Sequence, residues 1–331
     1  MQRRQFNSHA LGAALAAALP LSARNAFAAA PMGPGGYPDK PIRIVVPYPA
    51  GGVVDAVIRA VADPLSAEMP QRVVTENRPG ADGRIGMDAV AKAQADGYLL
   101  LAASPLLAVG EHLMPDMKGR SKDFAGVCAI AAAPTVYIVP SSLPIKTLKE
   151  FVALATAKPG EMNIANPGVG SSIHLAQELL FERTGIKVTN INYKGQPPSL
   201  VDLGAGQLQM GLISQNLALP LIQAGKVRAL AVNAAKRTRS LPDVPTVAEA
   251  GFPDVLVQSW YGVAAPVKTP APIVTYLSQQ FQRALATPEI RGKLEGMDAE
   301  IMALDGPKFD TLIEKEYVRW GELIRKRKIT M

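Results

Sequence analysis

Two spacings of apolar residues alternate along the chain. Short, nearly continuous apolar runs read as buried strands, and stretches with apolar residues three and four apart read as helices. The strand-like runs are Ile42–Val46, Gln71–Asn77, Tyr98–Ser104, Pro134–Ser142, Met162–Gly168, Lys187–Tyr193, Leu208–Ser214, Val227–Val232 and Ser259–Pro266. Between them lie predicted helices over Asp55–Met69, a stretch ending near Gly97, Thr147–Ala157, Ser172–Thr184 and Pro198–Ala205, then Pro272–Ala286 and Pro307–Lys326. In Thr147–Ala157, for example, Leu148, Phe151, Val152 and Ala155 share one face. Repeated strand–helix alternation predicts an α/β protein, with mainly parallel sheets flanked by helices. The chain has 331 residues, more than one core usually organises, so two lobes are expected.

Two of the strand-to-helix connections are glycine-rich. The first is PYPAGGVVDAV, Pro47 to Val57; the second is ANPGVGSSIHLAQELL, in which Gly168 and Gly170 free the backbone and Ser171 or Ser172 can cap the helix. A helix start offers unpaired N–H groups and a partial positive charge, and glycines let an anion approach them. One such loop per lobe suggests a ligand held between two lobes by its negative ends. Taken singly, each loop also reads as a tight connection and nothing more. Neither loop is a phosphate-binding G-x-x-x-x-G-K-[ST] or a dinucleotide G-x-G-x-x-G, and no G-x-S-x-G elbow occurs. Ser171 and His174 lie close in sequence, so a hydrolase is a distant alternative. Three residues on one helical turn do not by themselves define a nucleophile–base pair.

The N-terminus carries its own signal. Arg3 and Arg4 precede a mildly apolar stretch, Ala10–Leu21, and Ala26-Phe27-Ala28 is a small-x-small cleavage pattern. The stretch is shorter than the roughly 20 residues a membrane span needs, and Pro20 and Arg24 interrupt it. Residues 1–28 therefore read as an export signal, and Arg3-Arg4-Gln5-Phe6 resembles its twin-arginine type. Three of the seven net positive charges are Arg3, Arg4 and Arg24, which leaves +4 on the exported chain. That mild excess suits anionic small ligands. Scattered basic residues and 5% aromatics point away from nucleic acid. The single cysteine, Cys128, lies in an apolar run and reads as a buried thiol. Of three histidines, His9 is in the leader, so no metal site and no cofactor are expected.

With the loops in hand, the chain resembles the Bug, or TctC-like, solute receptors of tripartite tricarboxylate transporters. The resemblance rests on YPDKPIRIVVPYPAGGVVD, VVTENRPGADGRIG, AKAQADGYLLL, GSSIHLAQELL, INYKGQPPSLVDLGAGQLQM, LIQAGKVRALAVNAAKR, LPDVPTVAEAGFPD and SWYGVAAP, in that order, over about Tyr37 to Ile329. It implies a two-lobe periplasmic binding protein of the type II, Venus-flytrap kind, soluble in the periplasm. Its ligand would be a small carboxylate and its partners the membrane permease subunits. It implies ligand contacts from Tyr48, Pro49, Ala50, Gly51, Gly52, Val53 and Asp55 in the first loop. The second loop would contribute Gly168, Gly170, Ser171, Ser172 and His174, with Ser104, Gln215 and Asn216 at other strand ends.

Several of these residues have a plainer reading. Asp55 also fits as a first-turn acid that suits the helix dipole, His174 as a packed helix residue, and Trp260 and Tyr261 as core. Arg325–Lys328 reads as a solvated helix end. The family loop commonly reads PAGGGTD; here Val53-Val54 replace the third glycine and the hydroxyl residue, and an acid that many members carry near Ile213-Ser214 is missing. Fewer polar side chains favour a ligand with an apolar body, so the expected ligand is a dicarboxylate or an aromatic carboxylate such as a phthalate-type acid. The expected organisation is residues 29–134 with 258–331 as one lobe and 135–257 as the other, acting as a monomer without catalysis. A ligand sensor feeding a membrane signalling kinase needs the same clamp and is the alternative.

Overall fold

The computed structural model describes residues 32–330 except 115, 118 and 194; the export segment expected over 1–28 lies outside the described residues. In chain order the elements are β1 (Ile42–Val46), α1 (Val53–Glu68), β2 (Val73–Asn77), α2 (Arg84–Ala91), β3 (Leu99–Ala103), α3 (Leu106–Leu113), β4 (Phe124–Ala133), β5 (Thr135–Pro140), α4 (Leu148–Ala157), β6 (Asn163–Asn166) and α5 (Ser172–Thr184). They continue with β7 (Thr189–Asn192), α6 (Gln196–Gly204), β8 (Met210–Ser214), α7 (Gln215–Gln223), β9 (Val227–Asn233), β10 (Ser259–Pro266), α8 (Ala271–Ala286), α9 (Pro288–Glu295), β11 (Glu300–Asp305) and α10 (Gly306–Arg327). Among the described residues no helix is long and apolar enough to cross a membrane.

The strands form two sheets. One has six strands in the order β11-β4-β10-β3-β1-β2, the other five in the order β7-β6-β8-β5-β9. Neither sheet is mainly parallel, which corrects the sequence-based expectation. β1 pairs in parallel with β2 and β3, and β6 with β7 and β8. The other pairings, β10 with β3 and β4, β11 with β4, and β5 with β8 and β9, are antiparallel. The reason lies in how the chain changes sheet. β4 ends at Ala133 and β5 starts at Thr135, with Pro134 alone between them. A strand entering from the other sheet starts at the edge where its neighbours end, so it must run against them. β5 does this in the second sheet and β10, which follows β9 through residues 234–258, does it in the first.

The sheets share packing as well as chain. One apolar cluster takes Val45, Leu101 and Trp320 from the first sheet's side and Tyr137, Ile164 and Leu175 from the second's. Trp260 and Phe309 meet edge to face within it, with ring centroids 5.2 Å apart. Both Trp260 and Tyr261 are buried, as is Cys128. Gly262 sits at a register shift of β10 against β4. A Cβ there would lie 2.5 Å from the Cys128 carbonyl oxygen and 2.8 Å from the Phe309 ring.

Charged groups cross between the sheets too. α10, which packs on α3 and β4, also touches α5. Arg327 Nε donates to Glu178 Oε2 at 2.8 Å, and Lys326 pairs with Glu182. The Arg325–Lys328 run is therefore not simply a solvated helix end: two of its cations pair with acids on α5. Burial works to raise the Glu178 carboxyl. The His174 ring 3.7 Å away, the hydrogen bond and charge of Arg327 and the Asn190 amide outweigh it and bring the group from the ordinary 4.5 to about 2.

Gly262→Ala is expected to lower stability by at least about 2 kcal/mol, because the clash is with backbone and a buried ring; urea unfolding measures it. Glu178 has a depressed folded pKa, so its contribution is present above its unfolded pKa and is lost as pH falls toward about 2. Glu178→Gln should cost about 2–3 kcal/mol at pH 7, a gap that narrows on acidification through about pH 4 to 3. A gap that stays constant over that range would assign the contact to packing instead of charge.

Candidate functional site

Parallel β1, β2 and β3 deliver their carboxyl ends to one edge of the first sheet, and β4 leaves by that same edge. β6, β7, β8 and β9 end at the edge of the second sheet where β5 begins. The two sets of loops therefore converge at the crossing. Gly170 illustrates the closeness: a Cβ there would run into Leu113 of α3, on the first sheet's side, and its φ of +74° already favours glycine. Ser172 Oγ and Ser259 Oγ, on opposite sides of the crossing, share a hydrogen bond of 2.8 Å.

The first loop is braced from inside. Gly51 turns the chain with φ +81°, and Gly52 precedes α1 without a side-chain cap. Ala50, Gly51 and Gly52 are exposed, and Val53 is half-buried. Asp55 is only 4% exposed. Its Oδ2 accepts the Gly51 N–H at 3.0 Å, and its Oδ1 accepts from Arg59 Nε and Asn77 Nδ2, each at 2.9 Å. Burial tends to raise the Asp55 carboxyl, and the Gly51 amide, Asn77 and Arg59 together hold it below the usual carboxylate range. Asn77 Nδ2 also donates to the Tyr48 carbonyl at 3.1 Å, and Arg59 donates to Asn77 Oδ1 at 3.0 Å. Asp55, Asn77 and Arg59 thus lock the loop that α1 needs in order to start at Val53. Of the two valines that depart from the family loop, Val54 is core and only Val53 stays at the loop surface. Ile213 is core as well, and Ser214 is tied to the Gln196 amide.

Two hydroxyl pairs lie at the ends of these strands and loops. Tyr48 OH and Ser104 Oγ lie 3.1 Å apart. Burial raises the Tyr48 phenol, with the Ser104 hydrogen bond opposing it and Asp82 adding to it. Tyr261 is raised by burial and by the nearby Tyr48, with a hydrogen bond to Ser259 opposing. Ser259 in turn meets Ser172. Tyr48 thus ties the first loop to the end of β3 through Ser104, and Ser172 ties the second loop to the start of β10 through Ser259.

The second loop closes on itself. Ser171 Oγ donates to the Gly168 carbonyl at 2.8 Å and accepts the His174 backbone N–H at 3.2 Å, capping α5. Gly168 N–H donates to Asn166 Oδ1 at 3.2 Å. His174 is buried; its Nδ1 accepts the Gly170 N–H at 3.1 Å, and its Nε2 lies 3.7 Å from Glu178 Oε1. The Ser171 hydroxyl is therefore engaged by backbone and not by the His174 ring, and the pair lacks the nucleophile–base contact that hydrolysis needs.

Gln215 and Asn216 lie apart from these groups in their bonding. The buried Gln215 amide donates to Asp298 Oδ2 at 2.8 Å and accepts from Thr238 at 3.0 Å, while Asn216 is exposed. Sequence reasoning missed Asn77, Arg59, Ser259 and Leu113. Asn77 carried a legible signal, since it closes a parallel strand immediately before Arg78-Pro79-Gly80. Among the described residues no cluster of three His, Cys, Asp or Glu side chains is placed to hold a metal ion. An open groove between α6 and α7, lined by Leu200, Val201, Leu221 and Lys226, includes none of the predicted ligand residues.

Comparison with known proteins places this geometry. Residues 57–329 match the family described as the tripartite tricarboxylate transporter family receptor. The protein BugT of Bordetella pertussis is 35% identical over 301 residues, covering 90% of this chain and 92% of the relative. The structure of R. palustris Rpa4515 with adipate is 33% identical, with a TM-score of 0.80, and the match covers 89% of this chain and all of that one (100%). The structure of MatC from Rhodopseudomonas palustris with bound malate is 29% identical at a TM-score of 0.77, over 87% of this chain and 100% of the other. Matches of that extent carry the two-lobe binding-protein fold across the chain, and the protein belongs to the TctC, or Bug, family of periplasmic solute-binding receptors of tripartite tricarboxylate transporters.

Proposed function

We propose that this receptor captures a dicarboxylate between its two lobes and presents it, as a monomer, to the membrane permease subunits. The observation that carries the reading is the start of α1. Its N-cap, Gly52, brings no side-chain oxygen, and Ala50 to Gly52 leave the backbone open beside Val53. An uncapped helix start favours an anion. Tyr48 of the same loop shares a hydrogen bond with Ser104, and Ser172 of the second loop shares one with Ser259, so both loops bring uncharged donors and acceptors. Adipate and malate, found with the two R. palustris relatives, are both dicarboxylates. Asp55 serves as a brace and not as a ligand contact, since its oxygens are taken by Gly51, Arg59 and Asn77. The lobes we assign are residues 29–134 with 258–331, and 135–257, which follows the division of strands between sheets. Residues 1–28 would direct export, by the twin-arginine route that Arg3-Arg4 resembles.

Thermal unfolding of ligand-stripped protein against mono-, di- and tricarboxylates, aromatic acids and amino acids tests the ligand class. A diacid such as adipate or malate at about 100 times its Kd should raise Tm by about 5–10 °C. A shift with citrate or amino acids alone would overturn the dicarboxylate reading. Asp55→Ala should weaken binding of the responding diacid by about tenfold or more and lower stability by about 1–3 kcal/mol. Unchanged affinity by calorimetry would remove Asp55 from the site altogether.

A further inference from the structure

His174 has its polar ring atoms turned toward protein groups. It is 4% exposed, in the first turn of α5. The Gly170 N–H donates to Nδ1, so that nitrogen is the acceptor and the ring proton sits on Nε2. Nε2 faces Glu178 Oε1 at 3.7 Å. That same oxygen accepts from Asn190 Nδ2 of β7 at 2.8 Å, and Glu178 Oε2 accepts from Arg327 at the end of α10. The charged groups around this chain of contacts are Glu178 and Glu182 on α5, and Arg327 and Lys326 on α10. Gly170 itself is seated against Leu113 of α3, which α10 also packs.

These contacts form one path. It starts at a backbone amide in the second glycine loop, passes through an imidazole to a buried carboxylate, and ends on the C-terminal helix packed against the other sheet. We propose that His174 is a positioning residue: it sets the Gly168–Ser172 loop from behind and couples that loop to Arg327. It does not touch the ligand. Its Nδ1 withholds the Gly170 N–H and fixes how the loop approaches the cleft, and its Nε2 ties that geometry to the inter-lobe ion pair. Ligand affinity then depends on a guanidinium that belongs to the far end of the chain. This rests on the reading that the Gly168–Ser172 loop meets the ligand; the loop's own order does not.

Two conservative variants separate the two ends of the ring. Asn places Oδ1 where Nδ1 stands, so His174→Asn keeps an acceptor for Gly170. Gln places its amide nearer Nε2, so His174→Gln keeps the Glu178 side and loses the Gly170 bond. Amide hydrogen exchange of Gly170, followed by NMR on ligand-free protein, reads the loop directly. Loss of one hydrogen bond should speed exchange by about five- to tenfold in His174→Gln and His174→Ala, with His174→Asn within about twofold of the parent. Arg327→Ala should speed Gly170 exchange as well, and Arg327→Lys should largely restore it. If Gly170 exchange is the same in the Asn and Gln variants, or does not respond to Arg327→Ala, the proposal fails. The Asn–Gln comparison holds even if His174→Ala does not fold. Calorimetry with adipate is the second arm. Where the parent binds adipate, affinity should fall about five- to tenfold in His174→Gln and stay within about twofold in His174→Asn. Absence of adipate binding by the parent counts against the dicarboxylate reading, while the exchange arm still decides the role of His174.

Discussion

The direction of the chain at the crossing between sheets governs the rest of the structure. A strand that enters a sheet at its cleft edge must run away from that edge, and the parallel strands around it must run toward it. That rule sets β5 and β10 antiparallel to their neighbours. It also brings the ends of β1, β2, β3, β6 and β8 to one gap. Helices that follow those strands begin there, and their first turns supply the unpaired N–H groups an anion can use. The meeting of the two glycine loops and these helix starts is thus a result of topology before it is a result of any side chain.

Side chains then decide how rigid the gap is. Each glycine loop gains backbone freedom at positions such as Gly51 and Gly170. Freedom alone would leave the loops undefined. Asp55 removes it in the first loop by holding the Gly51 amide, and His174 removes it in the second by holding the Gly170 amide. Both holding groups are buried and both are fixed in turn, Asp55 by Arg59 and Asn77, and His174 by Glu178. A loop kept in place this way is ordered by the protein's own groups, and preorganisation of that kind lowers the cost of binding for anything that meets it.

Much of this was legible in the sequence. The apolar runs at Ile42–Val46, Met162–Gly168 and Ser259–Pro266 marked β1, β6 and β10, and the two glycine loops were found where the strands end. What escaped had physical reasons. β4 is ten residues of mostly alanine and small apolar side chains, which suit a strand and a helix equally. α3 is buried on most sides and lacks a polar face to show a period, and α7 carries Pro220 inside it. β11 is partly exposed along its whole length and shows no regular alternation of burial. The roles of Asp55, Gln215 and Arg327 depend on partners 22, 83 and 149 residues away, and no local pattern encodes such distances. Val54 and Ile213 misled for a related reason: a hydrophobic residue in a ligand-loop motif can face the core instead.

Pro134 has a further consequence. It is the lone residue between β4 and β5, and its carbonyl accepts the Gln215 N–H. The pyrrolidine ring fixes its φ near −65° and biases Ala133 toward extended ψ. Relative rotation of the lobes through this strand is therefore left with few soft torsions, chiefly the ψ of Pro134 and the φ of Thr135. The second connection, residues 234–258, is held to the second sheet almost to its end: Thr246 bridges to Val232, and the Val257 N–H donates to Asn233 Oδ1 at 3.1 Å. Both passages between the sheets are thus only a residue or two long, and a swing of one sheet against the other would follow a narrow arc instead of wandering in all directions.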